Sequence, residues 1–84
     1  YFNRIDKHLT EKEKKRILAV YAKGVASLAG SKVQRIEKKD GTKLFVDNGW
    51  VLVRASGTEP LIRFYAEADS PEAVDKLLAA ATAV

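Results

Sequence analysis

Four short apolar-rich runs between residues 33 and 68, each followed by a turn signal, constrain this chain more than any other feature. Val33–Lys38 leads into Asp40-Gly41, and Lys43–Asp47 leads into Asn48-Gly49. Such dipeptides between strand-like runs are strong hairpin signals, because Asn, Asp and Gly accept the positive φ that tight hairpin turns require. Trp50–Ala55 is predicted as a third strand and Leu61–Ala68 as a fourth. They are joined through Ser56-Gly57-Thr58-Glu59-Pro60, a loop by composition. Successive antiparallel strands form a meander, and at least one of its faces must be covered.

Two amphipathic helices are available as cover. Thr10-Glu11-Lys12-Glu13 reads as a capping box. The apolar residues that follow, Ile17, Leu18, Tyr21, Val25, Leu28 and Ala29, recur at a helical period, which predicts a helix ended by Gly30. Gly24 inside it weakens it by up to about 1 kcal/mol relative to Ala. Lys12, Lys14, Lys15, Arg16 and Lys23 are expected on or near the solvated side. Ser70 is a predicted N-cap with Pro71 in the first turn, and Val74, Leu77, Leu78 and Ala81 form the second apolar stripe. Tyr1 to Lys7 is an expected edge strand. The predicted class is α+β, a two-layer sandwich in the order β-α-β(4)-α, with an antiparallel sheet of four to five strands covered by two helices.

Residues 1–84 have room for one domain and one modest core. A chain of this size buries roughly 60–70% of its unfolded surface, which leaves little for a deep, water-excluding active site. Its first residue is Tyr1, so the chain is expected to be a piece of something larger. With no cysteine, it has neither a disulfide framework nor a thiolate metal site, and it suits a reducing compartment. Leu77 to Val84, the longest nearly apolar run, is far too short to span a bilayer. No basic segment precedes an apolar one as in a signal peptide, and the expected location is the cytoplasm. The net charge of +4 is unevenly placed. Residues 1–43 hold twelve Lys/Arg against five Asp/Glu, and residues 44–84 hold three against six.

The last hairpin carries the chemistry. With a period of two, Val51, Val53 and Ala55 share a face with Ile62, Phe64, Ala66 and Ala68, suited to packing under helices. The other face carries Trp50, Leu52 and Arg54, then Leu61, Arg63, Tyr65 and Glu67. Arg54 and Arg63 therefore project on the same side, at either end of a loop with two hydroxyls and a glycine. That is a sensible oxyanion receptor. Guanidinium forks bind phosphate oxygens bidentately, Ser56 and Thr58 can donate hydroxyl protons, and Gly57 lets backbone N–H groups approach as a nest. Pro60 stiffens the loop. Glu59 is expected to orient an arginine or bond a sugar hydroxyl. A plain turn remains open on composition, with Glu59 or Glu67 as the carboxylate between the two cations.

The run Arg54-Ala55-Ser56-Gly57-Thr58-Glu59-Pro60-Leu61-Ile62-Arg63-Phe64-Tyr65-Ala66-Glu67 closely resembles the C-terminal domain signature of the α-D-phosphohexomutases. These are the phosphoglucomutases, phosphomannomutases and phosphoglucosamine mutases. Trp50-Val51-Leu52-Val53 before it and Ser70-Pro71-Glu72-Ala73 after it extend the resemblance over about residues 49–78. The resemblance implies a TBP-like fold, and a four-domain enzyme that interconverts hexose 1- and 6-phosphates through a bisphosphorylated sugar. Phosphoserine and Mg²⁺ are implied for other domains. Arg54, Ser56, Gly57 and Thr58 are the implied phosphate-binding residues, with Arg63 and Glu59 supporting. The implied partners are glucose or mannose 1-/6-phosphate and the other domains of the enzyme. The surroundings of Trp50 and Tyr65 resemble phosphoglucomutase/phosphomannomutase more than phosphoglucosamine mutase.

No Thr-Ala-Ser-His-type loop and no Asp-x-Asp-x-Asp run occurs, and the lone histidine, His8, is expected to be solvated. The chain alone is thus expected to hold no metal, cofactor or catalytic residue and to be inactive by itself. The Trp50, Leu52, Leu61, Tyr65 face is too apolar for a fully solvated sheet. It is expected to meet a neighbouring domain or line a cleft, or to be packed by the chain ends. Two other readings remain, a nucleic-acid surface over Lys12–Lys43 and a protein-interaction module. Against the first, the strands are expected to lack the exposed aromatic pair of an RNA-recognition sheet.

Overall fold

A computed structural model describes all residues from Tyr1 to Val84. The elements are β1 (Phe2–His8), α1 (Glu11–Lys23), β2 (Ser27–Leu28), β3 (Ser31–Lys32), β4 (Arg35–Glu37), β5 (Thr42–Val46), β6 (Gly49–Ala55), β7 (Leu61–Ala68) and α2 (Pro71–Thr82). A five-stranded antiparallel sheet runs in the order β1-β7-β6-β5-β4, and β2 and β3 form a separate two-stranded ribbon. Both helices pack on one face, which makes the α+β two-layer sandwich expected from the alternating pattern.

The core lies between those layers. Leu44, Val51, Val53, Ile62, Phe64 and Ala66 on the sheet meet Ile17 and Tyr21 of α1 and Val74, Leu77, Leu78 and Ala81 of α2. The period-two assignment is therefore correct for β6 and β7, whose core-facing residues are buried except for half-buried Ala55. α2 begins as its sequence suggests, with the Ser70 hydroxyl oxygen accepting from the Ala73 N–H and Pro71 in the first turn. α1 begins with a complete capping box: Glu13 N–H donates to Thr10 Oγ1 at 3.2 Å, and Thr10 N–H donates to Glu13 Oε1 at 3.2 Å. Those bonds from the Thr10 N–H and then its hydroxyl hold the Glu13 carboxyl below the usual carboxylate range. The stabilisation is present above the unfolded carboxylate pKa and is lost as pH falls through the lowered folded value. Thr10→Ala is expected to cost about 1 kcal/mol, read as a fall in Tm of about 4–8 °C.

α1 ends earlier than expected. Gly24, at φ +90°, closes it, and its N–H donates back to the Val20 and Tyr21 carbonyls. A glycine that can leave the helical region stops the helix here, six residues before the predicted stop at Gly30. The apolar residues beyond it still serve the core by another route. Leu28 is buried in β2 and Val25 packs against the cluster. Ala29 (φ +51°) and Gly30 (φ +80°) make the two-residue turn between β2 and β3, a pair of left-handed residues typical of a tight hairpin.

The main hairpins also adjust the expected registers. The β5–β6 turn is Asp47-Asn48, neither with positive φ, and Gly49 already opens β6 opposite Ala68. Glycine is needed there for close approach: a Cβ on residue 49 would lie 2.0 Å from the Glu67 carbonyl oxygen. β4 covers only Arg35–Glu37, shorter than the predicted Val33–Lys38. β1 runs from Phe2 to His8, shifted one residue along from the predicted Tyr1 to Lys7, and it sits at the sheet edge.

Candidate functional site

The antiparallel register of β6 and β7 places Arg54 directly opposite Arg63. Like charges facing each other across a ladder repel, so this pair needs an anion or carboxylate nearby. The two arginines are treated differently. Arg63 is half-buried, with its Nε 3.8 Å from Asp6 Oδ1 on β1 and without a hydrogen bond. Asp6 is drawn closer to Arg4, at 3.2 Å, so its charge is shared. Arg54 is exposed and has neither an ion pair nor a hydrogen bond within the chain. The only carboxylate within ion-pair distance of either arginine is Asp6, beside Arg63; Glu59 and Glu67, the alternatives left open by composition, pair with neither. Glu59 is exposed, makes no ion pair and orients neither arginine.

The loop between the strands is built around Ser56. Its side chain turns inward, the residue is 8% exposed, and its Oγ accepts from the Thr58 and Glu59 N–H groups at 3.4 and 3.2 Å. Ser56 N–H donates to the Leu61 carbonyl and Leu61 N–H to the Glu59 carbonyl. This local ring occupies two of the N–H groups expected to form a nest. The Gly57 N–H makes no hydrogen bond within the domain, and the Ser56 hydroxyl proton remains free to donate. Gly57 is not in the left-handed region, and a Cβ on it would meet nothing within 4 Å. The fold itself therefore has no use for glycine at position 57. Thr58 is exposed beside it.

One lysine expected on the solvated helix side stands at the loop instead. Lys14, in the first turns of α1, is half-buried and donates from Nζ to the Ser56 carbonyl at 2.9 Å and the Glu59 carbonyl at 3.3 Å. The Leu9 N–H adds a bond to the Pro60 carbonyl. The loop is thus tied from behind to the start of α1. The arrangement is a turn whose outer surface carries a free guanidinium, a free backbone N–H and the Thr58 hydroxyl, with the Ser56 hydroxyl just beneath and the Glu59 carboxylate exposed further along the loop. Chemically it can receive an oxyanion. No group of three or more His, Asp or Glu side chains that could hold a metal ion gathers in the chain.

The remaining surface separates from this site. Two shallow concavities, of about 240 and 160 Å³, lie by the start of α2 and contain none of the loop residues. The open face of the sheet carries aromatics at the end of β6 and β7 away from the loop. Phe2 lies 6.3 Å from Trp50 and 6.2 Å from Tyr65 between ring centres. Of these three rings only Phe2 is exposed, at 58%, while Trp50 and Tyr65 are half-buried. Cations cover the neighbouring rings, Lys43 at 4.2 Å over Trp50 and Arg35 at 4.2 Å over Phe45. Several of the other basic residues are spent on the domain's own carbonyls: Lys7 on Thr82, Arg16 on Val84, Lys38 on Ala22. His8 is exposed at the end of β1. No helix is long and apolar enough to cross a membrane.

Comparison with known proteins agrees with the motif. The family described as phosphoglucomutase/phosphomannomutase, C-terminal domain, matches residues 7–84. A phosphoglucomutase/phosphomannomutase of Thermococcus kodakarensis is 49% identical over 72 residues, which covers 86% of this chain and 15% of the relative. A probable phosphoglucosamine mutase of Methanopyrus kandleri is 55% identical over 42 residues, 50% of this chain and 9% of the relative. One of Methanococcoides burtonii is 52% identical over 50 residues, 60% of this chain and 11% of the relative. The chain thus spans only a small part of the length of these relatives. From residue 7 to its last residue it belongs to the phosphoglucomutase/phosphomannomutase C-terminal domain family.

Proposed function

We propose that this domain binds the phosphate of a hexose phosphate that is not being transferred while a full-length mutase interconverts the 1- and 6-phosphates. The observation that carries this reading is the unpaired Arg54 guanidinium opposite Arg63, beside a loop with a free Gly57 N–H. Arg54, Ser56, Gly57 and Thr58 contact the phosphate, with Arg63 adding positive charge from behind. Glu59, facing solvent, is left to bond a sugar hydroxyl. A donor set of this kind reads phosphate oxygens and ignores the carbon that bears them. One site can therefore serve both ends of a sugar that must reverse between half-reactions.

The chemistry itself falls to the rest of the enzyme, where a phosphoserine and Mg²⁺ are expected. The domain supplies binding energy remote from the reacting phosphorus, usable to orient the sugar and close a cleft around it. The aromatic end of the open sheet face is a surface for another domain of the enzyme, partly covered already by Phe2. Relatives of both phosphoglucomutase/phosphomannomutase and phosphoglucosamine mutase name match, so the lean toward glucose or mannose phosphates rests on Trp50 and Tyr65 alone.

Amide NMR of the 84-residue chain titrated with glucose 1-phosphate tests the reading. Salt-sensitive, millimolar shifts are expected at residues 54–59 and 63. Shifts confined to Lys12–Arg16 and Lys38–Lys43, seen with an oligonucleotide and not with the sugar phosphate, would favour the nucleic-acid alternative. Gly57→Ala sharpens the test. Nothing in the fold opposes the methyl group, so stability should change by no more than about 0.5–1 kcal/mol and can rise. The methyl would stand where the phosphate approaches, so affinity should fall severalfold. Unchanged affinity would remove the Gly57 N–H from the site.

A further inference from the structure

We propose that Lys14 is a positioning residue for the phosphate loop, locking the Ser56–Gly57 peptide so that the Gly57 N–H faces the ligand; this role depends on the loop being the phosphate site.

The geometry is set by peptide planarity. The chain contains no cis peptide bond, so the Gly57 N–H points opposite to the Ser56 carbonyl of the same peptide unit. The Ser56 carbonyl is directed at Lys14 Nζ, 2.9 Å away on α1. The Gly57 N–H is therefore turned away from α1, on an exposed residue with open space around it. Nothing else holds this plane. The Thr58 and Glu59 N–H groups are fixed by Ser56 Oγ, and the Pro60 carbonyl by the Leu9 N–H, but the Ser56–Gly57 unit has only Lys14. Glycine follows the bond, so a flip of this peptide meets little steric resistance. A flipped plane would put a carbonyl oxygen where the anion binds. The second bond, to the Glu59 carbonyl at 3.3 Å, makes the ammonium a two-point anchor that a freely solvated lysine would not supply.

The test uses the ¹⁵N-labelled chain with Lys14→Met, which keeps length and removes the donor, Lys14→Arg, which restores donors and charge, and Arg54→Ala. All are titrated with glucose 1-phosphate at a temperature where melting curves show each variant folded. Lys14→Met is expected to weaken binding by about tenfold, the share of one oriented donor to a charged ligand. It is also expected to shift or broaden the Gly57 amide before any ligand is added, and Lys14→Arg should recover most of both effects. A purely structural lysine would lower Tm and leave both the affinity and the Gly57 amide unmoved, and that outcome overturns the role. If Lys14→Met binds like the parent while Arg54→Ala abolishes binding, the positioning role falls and the phosphate site stands. Should the parent chain itself show no saturable shift, the phosphate reading falls and the role of Lys14 falls with it.

Discussion

In the full-length mutase, Arg54→Ala is expected to lower kcat/KM by about 100-fold, with KM raised and kcat reduced together. Hydrogen bonds to charged groups contribute about 1.5–3 kcal/mol each, and a bidentate guanidinium–phosphate contact makes two that are only partly additive. A loss of about 3 kcal/mol corresponds to about a hundredfold in rate. Both constants should move because, on the proposed reading, energy from the non-reacting phosphate is used to orient the sugar as well as to hold it. Arg54→Lys keeps the charge and loses the planar fork, so it should fall between the parent and the alanine variant. Stability should hardly change. Arg54 is exposed, has no partner in the domain and faces Arg63 across the ladder, so its removal relieves a repulsion. Steady-state kinetics with glucose 1-phosphate, alongside a melting curve, decide the matter. A variant with unchanged kcat/KM would take Arg54 out of the site.

The legible parts of the fold are those in which a local pattern and the tertiary structure ask for the same thing. Thr10 and Glu13 form the capping box that their spacing announces, and β7 runs over the predicted Leu61–Ala68, with Ile62, Phe64, Ala66 and Ala68 alternating onto the buried face. α1 departs from its predicted length for an equally physical reason. Val25, Leu28 and Ala29 extend the helical period, yet Leu28 reaches the core from a two-residue strand. Buried apolar residues satisfy a helical period whether or not the backbone between them is helical. Gly24, by its spacing a weak residue inside the helix, is in fact the end of it.

The site divides along the same line. Arg54 and Arg63 can be placed on one face because alternation and a single short loop fix their relation. Asp6 cannot be placed, because β1 joins the sheet beside β7 across more than fifty residues of chain, and no local signal sets that register. Lys14 is different, since a signal for it exists. It stands three residues before Ile17, four before Leu18 and seven before Tyr21, so the helical period puts it on the packed side. A lysine is expected in solvent by its type, and here the spacing outweighs the type. The long side chain resolves the conflict by lying along the buried stripe and delivering its ammonium to two loop carbonyls.

Tyr21→Phe is expected to destabilise the domain by about 1–3 kcal/mol at neutral pH, with a difference that shrinks in strong alkali. Tyr21 is fully buried, its ring meets Phe64 edge-on at 6.5 Å, and its hydroxyl donates to the Ala81 carbonyl at 2.6 Å. Ala81 is itself fully buried and lies in the last turn of α2, where carbonyls have no helical partner. Removing the hydroxyl therefore leaves a buried acceptor without a donor. In a domain whose total stability is about 4–13 kcal/mol, that loss should lower Tm by roughly 4–8 °C per kcal/mol. Burial also pushes the phenol up to about 12, against an ordinary value near 10. A raised folded pKa means the neutral form is the one the fold holds. The contribution is complete below about pH 10 and is lost as pH rises toward 12, a loss of about 2–3 kcal/mol. Lysines titrate over the same range in both proteins, so the informative quantity is the gap between parent and Tyr21→Phe in urea unfolding at about pH 7, 10 and 12. The gap should be widest at neutral pH, and in the most alkaline sample it should have closed. A gap that does not change with pH would mean that the phenol is not held neutral by the core, and that α2 ends without the tie this hydroxyl provides.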